Sequence, residues 1–325
     1  MKTIFLIGNG FDLAHELKTS YKDFLKSLPD NIVSNNTLLF ILSKNNLHRW
    51  SDIEYTYFTL LNNCEDTLYI KKRFEILVHD FSSATLDKNF EEIKRLLEKY
   101  LIKEQENLKL IDGYSKLFSR LNDENTLILD FNYTNTIQKY LEKLDSQIKH
   151  IKIHGELMNE DNPIVFGYAA NDEEAKILTA KNDEFLMKNI KKLRYLLSDN
   201  ESRFKEMLNM SNHMIDVYIL GHSCGISDRL ILNELFTHKQ VNKVTQLYYN
   251  NREEFLKTAI NIDRVIDDYS QNDKKNKSFG KLNNYNDSTS MIQHNSTQDE
   301  IDIFLKYVES IRIKNGEKRI IRGII

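Results

Sequence analysis

Proline is nearly absent from this sequence, with 2 in 325 residues, and glycine is sparse at 10. So few breakers in a chain rich in Leu, Ile, Lys, Glu and Asn favour a helix-rich architecture and make each glycine worth individual reading. Cysteine is equally scarce. Cys64 and Cys224 are too few and too far apart for a disulfide framework or a metal cluster, which fits a reducing compartment. Charge of one sign is also missing: 45 Lys and Arg stand against 48 Asp and Glu, a net of -3, which argues against a chain whose main task is wrapping nucleic acid. The opening MKTIFLIGNGF holds too short an apolar run for a signal-peptide core or a membrane span. A cytoplasmic protein without membrane attachment is expected.

At 41% hydrophobic and 29% charged, the chain has enough apolar material for a sizeable core. TIFLIG reads as a buried parallel strand ending in glycine. SYKDFLKSL reads as a helix that Ser20 caps, with Asp23 three residues on. Helical patterns continue over 36–44, 51–61, 67–81, 90–102 and 105–121, so a helical insertion is expected at about 36–121. Strand patterns recur in NTLILDFN, HIKIHGEL, PIVFGY, DVYILGHS and KVTQLYYN, and a second helical block is expected at 172–210.

This alternation implies an α/β fold, a mainly parallel, doubly wound, Rossmann-like sheet with large helical insertions spanning 1–269. Residues 270–298 read as a polar linker or mobile loop. The final 299–325 read as a helix and tail, with Ile301, Ile303, Phe304, Tyr307, Val308 and Ile311 at helical spacing. In doubly wound sheets ligands sit beyond the carboxyl ends of the strands, so polar residues at strand ends should gather there.

Four clusters occupy such ends. Gly8, Asn9 and Gly10 follow the first strand, where glycines let backbone approach a phosphate and a helix N-terminus offers N–H groups. The usual third glycine is replaced by Leu13, and Asp12 and His15 sit just beyond, Asp12 suited also to capping a helix. DFNYTNT places Asn132, Tyr133 and Thr134 together, with amides and hydroxyls fit to orient a ribose or a water, while Asn135 or Thr136 would serve equally as a helix cap. His154 and Gly155 end another strand, and an imidazole there is a ready general base near neutral pH. GHSCGISD supplies Gly221, His222, Ser223 and Asp228. Its GHSCG spacing formally matches a nucleophile elbow, but the acid and downstream His of a hydrolase triad have no good candidates in His238 or His294.

GNGFDLAHELKTSYKDFL, the acidic WSDIEYTYF segment with Trp50, Asp52 and Glu54, FNYTNTI, IHGEL and GHSCGISD closely resemble, in the same order, the AbiH family of bacterial abortive-infection proteins. The resemblance covers about residues 3–250 and implies an anti-phage role. Glu16 departs from it, standing where family members often carry Gly. A more distant similarity to sirtuin-like NAD-processing domains implies that the chain binds NAD or a related nucleotide and hydrolyses its N-glycosidic bond, with NAD as substrate or ligand and no other cofactor or metal required.

By that resemblance Asn132 would orient the water or the nicotinamide ribose and His154 would act as general base. Gly8 and Gly10 would approach the pyrophosphate, and Gly221, Ser223 and Asp228 would contact the adenosine side. Asn9, His15, Tyr133, Thr134, Gly155 and His222 are further expected nucleotide contacts. The sirtuin-like Asn-x-Asp becomes Asn132-Tyr133-Thr134, so a carboxylate assisting departure would be Asp12, Glu54 or none. Asp52 and Glu54 lie two apart and face different ways on a helix, which leaves Glu54 as the choice. The zinc-binding cysteines of deacylases are absent. Expected partners are the nucleotide and a phage-derived activator or partner protein, with homo-oligomerisation open. Two other readings stand beside this one: a non-catalytic nucleotide sensor signalling through a partner, and a nuclease effector with a metal held by Asp12, Glu54 and His154.

Overall fold

The computed structural model describes residues 2–44, 50–64, 82–121, 124–169, 183–209, 213–249, 251–267 and 280–322, with positions 66, 69, 72, 74, 180 and 181; residues 50–52 and 311–322 are described as backbone only. The expected helix over 67–81 and the polar run 270–279 fall largely or wholly outside them.

β1 (Lys2–Ile7) is followed by seven helices: α1 (Asn9–Ala14), α2 (Tyr21–Ser27), α3 (Asp30–Asn35), α4 (Thr37–Lys44), α5 (Trp50–Asn62), α6 (Ser83–Glu104) and α7 (Asp112–Arg120) among the described residues. β2 (Thr126–Asp130), α8 (Thr136–Leu144) and β3 (Lys149–Lys152) come next. The short helices α9 (Glu184–Met187) and α10 (Lys191–Arg194) and the longer α11 (Asn200–Asn209) precede β4 (Ile215–Leu220). α12 (Arg229–Thr237), β5 (Val241–Tyr248), α13 (Arg252–Asp267), β6 (Thr289–Ser290) and α14 (Gln298–Arg322) complete the chain. Ser20 caps α2 as its sequence predicts, its Oγ accepting the Asp23 N–H at 3.2 Å.

The strands form one all-parallel sheet in the order β3-β2-β1-β4-β5-β6. This is the doubly wound, Rossmann-like arrangement, with its switch point between β1 and β4. Side chains alternate across each strand, and both faces are apolar. Ile4, Leu6, Val217 and Ile219 enter one core, under α11, α12 and α13, while Phe5, Ile7, Tyr218 and Leu220 enter another, under α1, α7, α8 and α14. A sheet covered on both faces explains why the strand sequences read as continuous hydrophobic runs.

A third core lies off the sheet. Leu42, Tyr57 and Phe90 from the first insertion pack with Leu186 and Ile190 from the second, and with Phe24 of α2 and Phe166, so the two insertions make one helical cap. The expected strand PIVFGY belongs here instead of in the sheet: Phe166 and Tyr168 are buried against the cap helices, and Tyr168 makes only an isolated bridge to Ile190. The stretch expected to be a polar linker differs too, because β6 pairs with β5 and the following Met291 and Ile292 enter the core under α14. Two short polar residues gave no strand pattern, and it is their apolar neighbours that fix them. Ile301, Phe304, Leu305 and Val308 seat α14, whereas Ile303 is exposed. Among the described residues no helix is long and apolar enough to cross a membrane.

Candidate functional site

The register brings the strand ends level: Ile7 pairs with Asp130 and Leu220, and Asp130 with Lys152. The residues just beyond them therefore emerge in one row at the switch point, below the helical cap. There a cavity of about 480 Å³ opens, within the usual range for small-ligand sites.

The two glycine loops line it at β1 and β4, midway across the sheet. Gly8, Gly10 and Gly221 line it, but their first physical task is to let the β1–α1 and β4–α12 loops touch. The Gly8 N–H donates to Leu220 O at 3.3 Å and the Gly10 N–H to Gly221 O at 2.8 Å, so these amides already have protein acceptors. A Cβ on Gly8 would stand 2.6 Å from His222 Cα. Asn9 also lines the cavity and accepts the Thr19 hydroxyl at 2.6 Å.

Asn132 follows β2, its Nδ2 donating to Gly8 O at 3.1 Å, which leaves the amide oxygen to accept from a ligand. His154 follows β3. Its Nδ1 lies 3.1 Å from Phe131 O, and a carbonyl only accepts, so Nδ1 carries the proton and Nε2 is the basic nitrogen. That Nε2 is 3.0 Å from Asp228 Oδ1 yet off the line of a hydrogen bond. Tyr133 stacks on the ring with centroids 5.8 Å apart, and Phe131 meets it edge-on at 5.1 Å. Burial, and after it Lys191, hold the imidazole below the usual histidine pKa although Asp228 pulls it up. The resting ring is a neutral base, and a carboxylate stands beside it to stabilise the imidazolium that forms on proton uptake.

Asp228 is the hub of the polar network. Lys191 Nζ is 2.8 Å from its Oδ1, and His222 Nε2 is 3.5 Å from its Oδ2. Burial opposes its ionisation, but the Lys191 cation outweighs that and keeps the carboxyl well below the usual carboxylate range. Lys191 also reaches Glu54 at 3.0 Å, and Glu54 accepts the Gly167 N–H at 3.2 Å. Burial lifts Glu54 to about 7, Lys191 drawing it down and Asp228 up. Lys191 itself stays charged: burial disfavours its cation, but Asp228 and Glu54 more than compensate.

The sequence reading missed Lys191. It lies in KNIKKLRY, indistinguishable there from a solvated basic face, yet it is 1% exposed because α10 turns it inward under the cap. Lys152 was missed as well; its Nζ donates to Thr134 O at 2.5 Å and to Tyr133 O at 3.2 Å, pinning the loop that carries Asn132.

Other expected residues have different places. Asp12 lines the cavity, but its two oxygens accept the Thr134 and Thr136 hydroxyls, each at 2.6 Å, so it ties the β1 and β2 loops together. Burial lifts its pKa to about 6, against those two bonds. His15 lies off the cavity in the aromatic core: Nδ1 donates to Phe11 O at 2.7 Å, Nε2 is 2.6 Å from Tyr140 Oη, and burial lowers its pKa to about 4. Gly155 also lies off the cavity lining, packed so closely on Pro163 O that a side chain would collide with it. Ser223 lines the cavity and is exposed, while both His222 nitrogens face elsewhere, Nδ1 accepting the Cys224 N–H at 2.9 Å and Nε2 facing Asp228, so no imidazole is set to activate the serine. The side chains of Trp50 and Asp52 lie outside the described residues. Among the described residues, no group of three His, Cys, Asp or Glu side chains is arranged to hold a metal ion.

The sequence matches the family model described as "Bacteriophage abortive infection AbiH" over residues 4–250. The chain belongs to the AbiH family. The matched AbiH segment runs from β1 to just past β5 and contains Asn132, His154, Lys191 and Asp228, while β6 and α14 lie beyond it. Membership supports an anti-phage abortive-infection role for this AbiH chain. No curated protein matches its sequence.

Proposed function

We propose that this AbiH chain acts in abortive infection by binding NAD, or a related dinucleotide, in the switch-point cavity and hydrolysing its N-glycosidic bond. The observation that carries the reading is His154, a buried neutral imidazole whose basic Nε2 stands beside Asp228 in the same cavity as Asn132 and the two glycine loops. Glycosidic cleavage passes through a cationic ribosyl transition state and needs a held ribose, nearby negative charge and a base for water. Asn132 would hold a ribose hydroxyl or the water through its free amide oxygen. His154 Nε2 would take a proton from the water as its oxygen bonds to C1′ and the C1′–N bond breaks. The bonding pair goes to the nicotinamide nitrogen, which leaves neutral, and the imidazolium then releases its proton to solvent. Asp228 supplies the negative charge, with Glu54 beside it, since Asp12 is occupied by two threonines. The step uses only this chain's side chains and water.

The test is NAD consumption by purified protein and in infected cells. His154→Ala and Asn132→Ala are expected to lower it about 100-fold or more with the fold intact by circular dichroism. Consumption seen only in infected cells points to a phage-derived activator. Tight nucleotide binding with no turnover in either setting would leave the non-catalytic sensor. Wild-type protein that neither binds nor consumes NAD anywhere overturns the proposal.

A further inference from the structure

Beyond the glycine loops the cavity continues past the ends of β5 and β6, and that half contains none of the groups used above. It holds two amide side chains, Gln246 on β5 and Gln293 just after β6. The Nε2 atoms of both are buried without a hydrogen-bond partner among the described residues, and Gln246 is only 2% exposed. Buried donors in folded proteins are almost always paired, and an orphan costs stability, so two lining one cavity call for an acceptor that arrives from outside the chain.

The chemistry of that acceptor is narrowed by charge. Among the described residues lining this half the one cation is Lys257, and it is paired with Glu253 at 3.0 Å and Glu254 at 2.7 Å. Among those residues no free positive charge is left for a phosphate. Tyr248 and Met291 add an apolar, aromatic wall. An uncharged, flat group with hydrogen-bonding edges suits these walls, and an amide matches the donor and acceptor pattern along the edge of adenine.

The distance fits as well. From β3, which positions His154, to β5 there are four steps across the sheet, roughly 19 Å at strand spacing, too far for a single nucleoside but suited to a dinucleotide. We infer that Gln246 and Gln293 form a nucleobase subsite for the adenine end, with the pyrophosphate crossing the glycine loops and the scissile ribosyl bond against His154. Asp228 thereby belongs to the reacting end, not to the adenosine side.

This inference rests on the nucleotide reading above, and its test separates the two. Adenosine alone is titrated calorimetrically into the full chain, wild type and variants. Gln246→Met is expected to weaken adenosine binding about tenfold or more, while leaving the melting temperature unchanged or raised because an orphan donor is removed. Gln293→Leu, at a half-buried position, should weaken it similarly. Loss in the glutamine variants with no NAD turnover in any protein would keep the subsite and remove the hydrolysis reading. Equal adenosine binding by the wild type and both glutamine variants overturns the subsite, as does wild-type protein that binds NAD but not adenosine. Wild type that binds neither overturns both readings.

Discussion

Gly10 and Gly221 meet backbone to backbone: the Gly10 N–H donates to the Gly221 carbonyl at 2.8 Å, and a Cβ on Gly10 would lie 2.8 Å from Gly221 Cα. Gly221 also holds φ at +74°, where a side chain would run into the Phe11 amide nitrogen. Left-handed strain and overpacking together put the cost of Gly221→Ala at about 2–5 kcal/mol, read from urea unfolding. A variant within about 1 kcal/mol of wild type would show that the loops do not depend on this contact. Loss of nucleotide binding in such variants reports collapsed loops, so enlarging a glycine does not separate a sensor from an enzyme.

Lys191 joins the cap to the sheet through one cation between two carboxylates. Lys191→Met would leave Asp228 buried without its cation and oblige Glu54 to take up a proton, a loss of about 3–5 kcal/mol. Adding Glu54→Gln to it removes the carboxyl that must be protonated, so the double variant should recover part of that loss in a double-mutant cycle. Additive single effects would mean that the two residues do not act through each other.

The pH dependence of stability follows from groups that oppose one another. Glu54 at about 7 and Asp12 at about 6 are raised above unfolded carboxyls near 4, so what they contribute is present below that value and lost as pH rises through 6 to 7. His15 and His154 are lowered, and their contribution is lost as pH falls below about 6.5. The wild-type profile mixes both, so the comparison that isolates Glu54 is Glu54→Gln against wild type. The variant should gain relative stability from pH 5 to about 7 and level off above that, and a difference independent of pH would refute the assignment. Because burial holds His154 below the ordinary histidine range, any NAD consumption should persist on mild acidification and fall only once that lowered pKa is passed.

Glu16 occupies a left-handed turn, φ 62°, directly after the first helix. This is the position where the AbiH pattern often has glycine, and the dihedral supplies the reason, since only glycine adopts it without strain. The exposed pairing of Glu16 with His294 at 3.0 Å offsets little of that strain. Glu16→Gly should keep or slightly raise the thermal midpoint, whereas Glu16→Ile should lose roughly 1–2 kcal/mol. The reverse order of the two midpoints would contradict this account.

The first five strands, the cap on α2 and the clustering of Gly8, Asn132, His154 and Gly221 could all be read locally. Each rests on a short apolar run or a capping pattern, and a doubly wound sheet gathers its strand ends without further information. PIVFGY misled because a buried apolar run has no periodicity that tells a strand from a segment packed on helices. Two residues of β6 are too short to carry a pattern at all.

The sequence by itself determined the sheet class, the family and the row of polar residues at the carboxyl edge, because those signals lie within a few neighbours along the chain. Tertiary structure alone decided which of them face the cavity. It sent His15 into the aromatic core, tied Asp12 to two threonines, and used the glycines to let two loops touch. It also delivered Glu54 and Lys191, 137 positions apart, to Asp228, and left Gln246 Nε2 and Gln293 Nε2 without partners among the described residues at the cavity's far end. Burial, which makes a charge or an orphan donor matter, comes from packing between distant insertions, and no local pattern of residues encodes it.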